Sequence, residues 1–332
     1  MALAGPARAV EYANSVLDLG VGARALGMGG AFVGLADDST STYWNPAGLT
    51  GIKNFEVNAA EQGQQTAALD LGTNDVGSDY IFLSGGWTLP QVGSFGLSLT
   101  RFAVNGIPQI PNQNTCGTCP PPDQKGTFGT SDTGVFLSYA RSVAPALDMG
   151  VTVKTLFGGT NGLQADPTNN ISGNADYYYL GLDLGFKLKF GALSPALEGL
   201  SLGLNLQDLL NTGVKWSNTP TSPDESVTAN PKTGLAYTLP FAYLEDAHTV
   251  VNLALDVDPT VYAPSTLIHY GAEVWYKDTI AIRGGMMQFT DSPQSSEPSL
   301  GASFKYAILQ VDYAYIYYEL TPIEYLDLTI RW

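Results

Sequence analysis

The sequence predicts an all-β protein: a transmembrane antiparallel β-barrel of about 14 strands with an N-terminal hatch plugging its lumen. Three observations predict this fold class. Apolar and polar residues alternate along most of the chain, charged residues are scarce, and no apolar run is long enough for a membrane-spanning helix. Charged residues make up 14% of the 332 residues, whereas soluble proteins contain about 25%.

The alternation has a period of two residues, which is typical of half-buried strands. In Leu200–Gln207 every second residue is Leu, and the residues between them are Ser, Gly, Asn and Gln. Similar patterns run through Tyr178–Leu188, Val251–Val257 and Leu326–Trp332. A soluble sandwich, with its polar face in water, gives the same pattern as a membrane barrel whose polar face lines the lumen. The lengths of the connections between strands must therefore distinguish a soluble sandwich from a membrane barrel.

Those connections favour the barrel, because long ones alternate with short ones. The predicted strands centre on Glu56, Leu83, Leu97, Leu137, Val153, Leu182, Leu204, Leu235, Leu253, Ala272, Ile282, Ala302, Val311 and Leu328. Long connections are expected around 63–78, 105–132, 159–175, 211–228, 259–265 and 291–298. Long external loops and short periplasmic turns characterise the barrels of the bacterial outer membrane, where an even strand number puts both termini in the periplasm.

A glycine-rich stretch near the N-terminus interrupts this alternation. Residues 22–49 read GARALGMGGAFVGLADDSTSTYWNPAGL, with neither a helical nor a strand period. The glycines indicate tight turns and close packing, and the apolar content argues against a solvated linker. We therefore expect residues 1–50 to form a hatch inside a barrel built from residues 51–332. The residues of its motif are Gly22, Arg24, Gly27, Gly29, Gly30, Asp37, Asp38, Trp44, Asn45, Pro46 and Ala47.

Charged residues of both signs fall on the predicted lumen face of the strands. Mixed signs suggest paired charges that cross the lumen and grip the hatch, although scattered polar lining gives the same pattern. We expect Arg24, Asp37 and Asp38 of the hatch to pair with lumen charges such as Glu273 and Arg283. The full set of lumen charges is Lys154, Asp183, Lys187, Asp256, Glu273, Arg283, Asp312, Asp327 and Arg331.

Several other kinds of function are disfavoured. A net charge of −16 and a pI near 4.3 argue against nucleic-acid binding, which needs basic patches. His248 and His269 stand outside any nucleophile–base motif, so we expect neither an enzyme nor a cofactor. Asp37 and Asp38 offer oxygen ligands suited to Ca²⁺, but turn and cap hydrogen bonds are the commoner use of such residues, so no metal is assigned.

The chain contains two cysteines, Cys116 and Cys119, in a Pro-rich predicted external loop. Two cysteines and two histidines are too few for a zinc site, so we expect a local disulfide formed in an oxidising compartment. At the N-terminus, Ala2–Ala4 looks like the small-residue end of a signal-peptide cleavage site. We therefore expect the numbering to begin close to a processing site.

The hatch motif resembles the N-terminal signature of the PorV/PorQ family, within the FadL-like superfamily of outer-membrane barrels. The resemblance extends to Ala272–Met286 and Leu300–Tyr315. It implies a fourteen-stranded barrel with a luminal hatch, whose Asn45-Pro46-Ala47 matches the NPA motif of FadL-type hatches. The terminal Trp332 resembles the C-terminal signal that barrel-assembly machinery reads.

Three functions are compatible with this resemblance. A PorV-like barrel implies a protein-binding component of secretion or surface attachment, as in type IX secretion, with a translocon or a secreted protein as partner; this is our first interpretation. A FadL-like barrel implies transport of hydrophobic small molecules past the hatch, with possible exit through a gap in the wall. The third is a plugged structural barrel at the cell surface. Outer-membrane lipids are expected partners in each case, and a bound lipid or detergent is compatible with all three.

Overall fold

The computed structural model describes most of the chain, including the whole hatch motif at residues 22–49, whereas residues 1–16 and 18 of the predicted hatch lie outside the described residues. The described residues are 17, 19–63, 77–108, 126–163, 173–210, 212–217, 227, 229–241, 249–259, 266–290, 296–318 and 322–332. The predicted disulfide between Cys116 and Cys119 lies outside these residues, as does His248.

Fifteen strands follow the N-terminal segment within the described residues. They are β1 (Phe55–Gly63), β2 (Gly77–Leu89), β3 (Gly93–Pro108), β4 (Thr127–Ala144), β5 (Leu147–Asn161), β6 (Asp176–Lys189), β7 (Leu200–Gln207), β8 (Lys215–Trp216), β9 (Asn230–Phe241), β10 (Thr249–Asp258), β11 (Leu267–Tyr276), β12 (Ile280–Phe289), β13 (Ser296–Tyr306), β14 (Leu309–Ile316) and β15 (Ile323–Arg331). Every predicted strand centre falls inside one of them.

The strands form one closed antiparallel barrel. Each strand pairs with its neighbours in sequence, except that β7 pairs with β9, and β1 closes the ring by pairing with β15. Fourteen strands make the wall, because the two-residue β8 pairs only with Tyr177 and Tyr178 near the start of β6. The predicted fourteen-stranded barrel is confirmed. The connection predicted over 105–132 is shorter than expected, since β3 continues to Pro108 and β4 begins at Thr127.

The wall is apolar outside and polar inside. Along β1 the outward residues are exposed, whereas the inward Glu56, Asn58 and Ala60 are buried. Outward Leu137, Ile282 and Leu300 are 58%, 65% and 66% exposed. A soluble protein would place such side chains in its core, so this surface suits contact with lipid.

Short helices shape the N-terminal segment before the first strand. They are helix α1 (Ala23–Gly27), helix α2 (Ser41–Trp44) and the 3₁₀-helix η1 (Pro46–Gly51). Two further 3₁₀ turns, Phe190–Ala192 and Pro195–Leu197, join β6 to β7. Within the described part of the chain, no helix is long and apolar enough to cross a membrane.

Nearly all residues of the segment 19–52 are buried, and their contacts reach the inward faces of strands all around the barrel. We call this segment the hatch. The end of the barrel that carries the longer connections is called the long-loop end. The opposite end, which carries Phe55 and Trp332, is called the short-turn end.

Candidate functional site

Helix α1 holds the first turn of the hatch against β15. Gly22 precedes it with φ of 79°, a left-handed conformation that favours glycine. The backbone N–H of Ala23 then donates to Oδ2 of Asp327 over 2.8 Å. A buried carboxylate thus binds a backbone N–H that the helix leaves unsatisfied.

The next turn brings the hatch backbone directly against the backbone of β12. Gly29 has φ of +70°, and a Cβ atom there would lie 2.3 Å from the Met286 N atom. Gly285 of β12 faces Met28 in the same way, since its Cβ would lie 2.1 Å from the Met28 carbonyl carbon. Both positions require glycine because the two backbones leave no space for a side chain.

Asn45 fastens the far end of the hatch. Its Nδ2 donates to the carbonyl oxygens of Val33 and Phe186 at 2.9 and 3.1 Å, while its Oδ1 accepts from Ala47 N at 3.2 Å. Pro46 begins η1 at a position where no N–H is needed. The motif Asn45-Pro46-Ala47 therefore ends one hatch turn, starts the next and joins both to β6.

Trp44 packs within the hatch. Its ring is buried, its Nε1 donates to Val21 O at 2.9 Å, and it meets the Tyr43 ring edge-on at 5.0 Å. Tyr43 in turn donates to the carbonyl oxygen of Leu17. These bonds satisfy the polar atoms of two buried aromatic side chains.

A charge network links the centre of the hatch to the wall. Arg24 lies 2.6 Å from Asp37, 3.3 Å from Asp38 and 3.1 Å from Glu273. Glu273 also contacts the guanidinium of Arg283 at 3.1 Å. The predicted pairing of Arg24 with Glu273 is present. Asp37 and Asp38 pair with Arg24 of the hatch itself rather than with Arg283, whose other ionic partner is Asp312 at 3.2 Å.

Two more lumen charges bind hatch backbone. Oδ2 of Asp256 accepts from the N–H groups of Phe32 and Val33, both at 2.6 Å. Lys187 Nζ donates to the carbonyl oxygens of Leu35 and Ala36 at 3.2 and 2.7 Å. The wall therefore supplies an anion where the hatch presents N–H groups and a cation where it presents carbonyl groups.

Lys154 and Asp183 lie in a separate network of the wall. Lys154 Nζ lies 3.0 Å from Asp183 and 2.9 Å from Asp208, which follows β7. The hydroxyl of Tyr179 donates to Asp208 at 2.5 Å. This network fastens the connection after β7 to the wall.

Near the short-turn end, Glu56 of β1 accepts from Ser39 N at 2.7 Å and pairs with Arg331 at 2.6 Å. Asp38 lies beside this pair. Burial raises the pKa of Asp38 to about 6, and the Glu56 carboxylate adds to the rise.

Among the described residues, no group of three or more His, Cys, Asp or Glu side chains is arranged to hold a metal ion.

A cavity of about 380 Å³ opens between the hatch and the wall at the long-loop end. We call it the upper cavity. Its apolar lining includes Leu19, Leu26, Val33, Trp44, Leu267, Met287, Phe289 and Ile316, and its polar lining includes Asn230, Lys232, Asp256, Asp258, His269, Glu297 and Ser299. A benzene-sized guest needs a cavity of about 150 Å³, so a small hydrophobic molecule fits with space to spare.

A second cavity of about 670 Å³ lies at the short-turn end and is called the lower cavity. Arg24, Asp37, Glu56 and Arg331 line it from the hatch side and the wall. The hatch, with the Arg24–Glu273 pair, therefore separates the upper cavity from a lower cavity that is lined by a larger number of charged side chains.

The sequence reasoning missed Glu56 and treated His269 as isolated. His269 Nδ1 lies 2.7 Å from the Gly29 carbonyl oxygen, which joins β11 to the hatch. Asp258 was also missed, although it shares the inward face of β10 with Asp256 two residues earlier. The alternation of inward and outward residues along β10 could therefore have identified Asp258 as a lumen charge.

No protein-family model matches the chain, and no curated protein matches its sequence. Solved structures do match. The Pseudomonas putida toluene transporter TodX has a TM-score of 0.61 at 12% identity, covering 94% of this chain and 99% of that one. The CymD monoaromatic hydrocarbon channel gives a TM-score of 0.57 at 14% identity, covering 95% of this chain and 98% of that one. A Pseudomonas aeruginosa FadL homologue gives a TM-score of 0.52 at 12% identity, covering 91% and 96%. The fold is that of the FadL-like outer-membrane barrels.

The predicted FadL-like fold is thus confirmed, while the finer likeness to PorV/PorQ stays a prediction. Trp332 follows β15, is 75% exposed and donates its N–H to Phe55 O at 2.9 Å. Its role as an assembly signal also stays a prediction.

Proposed function

We propose that this protein is an outer-membrane barrel that binds small hydrophobic molecules in its upper cavity and transports them past the hatch. The observation that carries the proposal is the upper cavity itself, with its apolar lining between the hatch and β9–β14. Ligand sites are commonly concave and mostly apolar, with a few placed polar groups. The shared fold of a toluene transporter and a hydrocarbon channel supports the same function.

Insertion in the bacterial outer membrane is part of the proposal. The exposed apolar side chains of the wall give it a surface suited to lipid. With an even number of wall strands, the start of β1 and the end of β15 lie on the same side of the membrane, which we assign to the periplasm. The long-loop end and the upper cavity then face the outside of the cell.

Passage requires the hatch to move, because it fills the space between the two cavities. The bonds of Arg24 to Glu273 and of Phe32 and Val33 to Asp256 hold it in place. We propose that this is the closed state and that a ligand in the upper cavity promotes displacement of the hatch. A ligand can do so only if it binds more tightly to the open state.

The proposal is tested by a substitution that places a larger side chain in the upper cavity. Ser299 is buried and lines the upper cavity, whereas its neighbour Leu300 points outward and is 66% exposed. Ser299→Phe would fill part of the cavity, and Leu300→Phe is the matched control. Both variants and the unaltered protein are produced at equal levels in a Gram-negative host that lacks such a transporter, and uptake of labelled toluene is measured.

We expect uptake above that of the empty host for the unaltered protein and for Leu300→Phe, and a loss of most of this increment for Ser299→Phe. No increment with the unaltered protein, or an equal increment with Ser299→Phe, would contradict the proposal. Folded barrel is quantified by heat-dependent gel mobility, so that loss of uptake is not confused with failed insertion.

The protein-binding role in secretion or surface attachment rests on the sequence resemblance alone. Co-purification of a secreted protein or translocon component with both variants, together with absence of toluene uptake, would favour that role over transport.

A further inference from the structure

The polar groups of the upper cavity consist mainly of hydrogen-bond acceptors. Three carboxylates, those of Asp256, Asp258 and Glu297, line it. Among the described lining residues, Lys232 is the one Lys or Arg side chain, and it is already paired with Asp258 over 2.9 Å. Acidic side chains therefore outnumber Lys and Arg side chains in the described lining of the cavity.

Several of these acceptors have no hydrogen-bond partner although they are shielded from solvent. They include Oδ1 of Asp258, Oε2 of Glu297, the side-chain oxygen of Asn230 and the hydroxyl of Ser299. Asp258 and Ser299 are 5% and 3% exposed. Buried polar atoms nearly always have a hydrogen-bond partner, so a cluster of unpartnered acceptors around one cavity points to a ligand that donates hydrogen bonds.

The charge of the site limits the chemistry of that ligand. A carboxylate would bring a further negative charge toward Asp258 and Glu297 in a poorly solvated space. A pure hydrocarbon would displace water and leave the acceptors without donors. A group that donates hydrogen bonds and carries a positive charge satisfies the acceptors and reduces the net negative charge at once.

Part of the apolar lining lies on a different element from the unpartnered oxygens. The hatch contributes Leu19, Leu26 and Trp44, whereas the unpartnered oxygens are on β9, β10 and β13 of the wall. A molecule bound between them can therefore lay an apolar body on the hatch and direct a polar head to the wall.

We propose that the upper cavity selects amphipathic molecules with a small apolar body and a protonated amine head. This inference rests on the proposed function, since it specifies which hydrophobic molecules the cavity takes. Asp258 and Glu297 recognise the head, and the apolar side chains of the hatch bind the body.

The test compares four molecules of one size that differ in the head: benzylamine, benzyl alcohol, toluene and benzoate. The full-length protein is reconstituted in lipid nanodiscs, and dissociation constants are measured by calorimetry, with empty nanodiscs to subtract partition into lipid. We expect benzylamine to bind most tightly and benzoate most weakly, with a ratio of about tenfold to a hundredfold, as expected for hydrogen bonds to charged groups.

Two substitutions locate the preference. Glu297→Gln and Asp258→Asn keep the shape of each side chain and remove its charge, so each should lower the benzylamine-to-benzoate ratio severalfold. Asp278→Asn is the matched control, because Asp278 is exposed at the short-turn end and should leave the ratio unchanged.

Benzoate binding as tightly as benzylamine would overturn the inference, and so would a ratio that neither cavity substitution changes. Toluene binding most tightly would overturn it while leaving hydrophobic transport intact. If none of the four molecules bound, both this inference and the proposed function would fail.

Discussion

Nη2 of Arg24 in the hatch lies 3.1 Å from Oε1 of Glu273 in the wall, and the Glu273 side chain is fully buried. The two residues are 249 positions apart in sequence. Arg283 contacts the same carboxylate from the wall side, so that one buried anion is shared by the hatch and the wall. This arrangement makes Arg24 the residue whose loss most directly frees the hatch.

Arg24→Ala should destabilise the closed hatch, because it leaves Glu273 with less compensation and leaves Asp37 and Asp38 without their cation. The expected loss is on the order of 3 kcal/mol, as for a buried pair that loses one partner. Unfolding in denaturant, followed by tryptophan emission, measures the change. Ion conductance across a planar bilayer should rise, since the two cavities are no longer firmly separated.

Lys305→Ala is the control for Arg24→Ala. Lys305 pairs with Asp278 at 2.6 Å, but both side chains are partly or largely exposed. Exposed pairs contribute at most about 1 kcal/mol, so stability and conductance should change little. Equal effects of the two substitutions would show that the Arg24 network does not hold the hatch.

Gly29→Ala should displace the hatch from β12. The new methyl group would overlap the Met286 N atom at 2.3 Å, and φ of +70° is unfavourable for alanine. We expect poor barrel formation, read as loss of heat-dependent gel mobility. Gly284→Ala on the same strand is the control, because its nearest neighbour would be Leu300 Cδ2 at an ordinary 3.5 Å. Normal folding of Gly29→Ala would refute the close approach.

Asn45→Ala should loosen the second half of the hatch. It removes two donors to carbonyl oxygens and the acceptor for Ala47 N, all at a fully buried position. The cost should be about 2–4 kcal/mol, since buried partners are left unsatisfied. Protease cleavage within residues 37–52 should become faster. The control is Asn54→Ala at an exposed position, which should be cleaved at the same rate as the unaltered protein. Equal cleavage rates for Asn45→Ala and Asn54→Ala would contradict the role assigned to Asn45.

The hatch should be more stable at pH 5 than at pH 7.5. The pKa of Asp38, about 6, lies above its usual value because burial and Glu56 disfavour the charged form. A raised carboxyl pKa gives stability that is present at low pH and is lost as the pH rises through the folded-state pKa. Denaturant midpoints from pH 4.5 to pH 8 should therefore fall around pH 6.

Asp38→Asn provides the comparison for this pH series. Its side chain cannot ionise, so the decline in the midpoint around pH 6 should shrink. A decline of the same size in Asp38→Asn would assign the titration to another group.

Alternation was enough to predict the wall, because each strand of the barrel must place lipid-facing and lumen-facing residues in turn. Leu200–Gln207 shows this pattern without interruption and forms β7. Strand β8 escaped prediction because two residues, Lys215 and Trp216, cannot display a period. The pattern also identified most inward charges by their position in the alternation.

It was harder to predict which charged residues pair with one another than to predict which of them face the lumen. Arg24, Asp37 and Asp38 were predicted to pair with lumen charges such as Glu273 and Arg283. Arg24 does contact Glu273, whereas Asp37 and Asp38 bind Arg24 itself, 13 and 14 residues away in sequence. The upper cavity was not predicted at all. Its lining comes from the hatch and from six strands, so no local pattern in the sequence could reveal it.

The bond from Ala23 N to Asp327 indicates that the hatch and the closed ring of strands depend on each other. It joins one of the first described residues to the last strand, 304 positions later, right beside the seam where β1 meets β15. Asp256, Glu273 and Lys187 bind other parts of the same early segment. If the ring closed while empty, these charges would face one another without the groups that satisfy them. The hatch therefore contributes to the stability of the closed ring, because it supplies those groups.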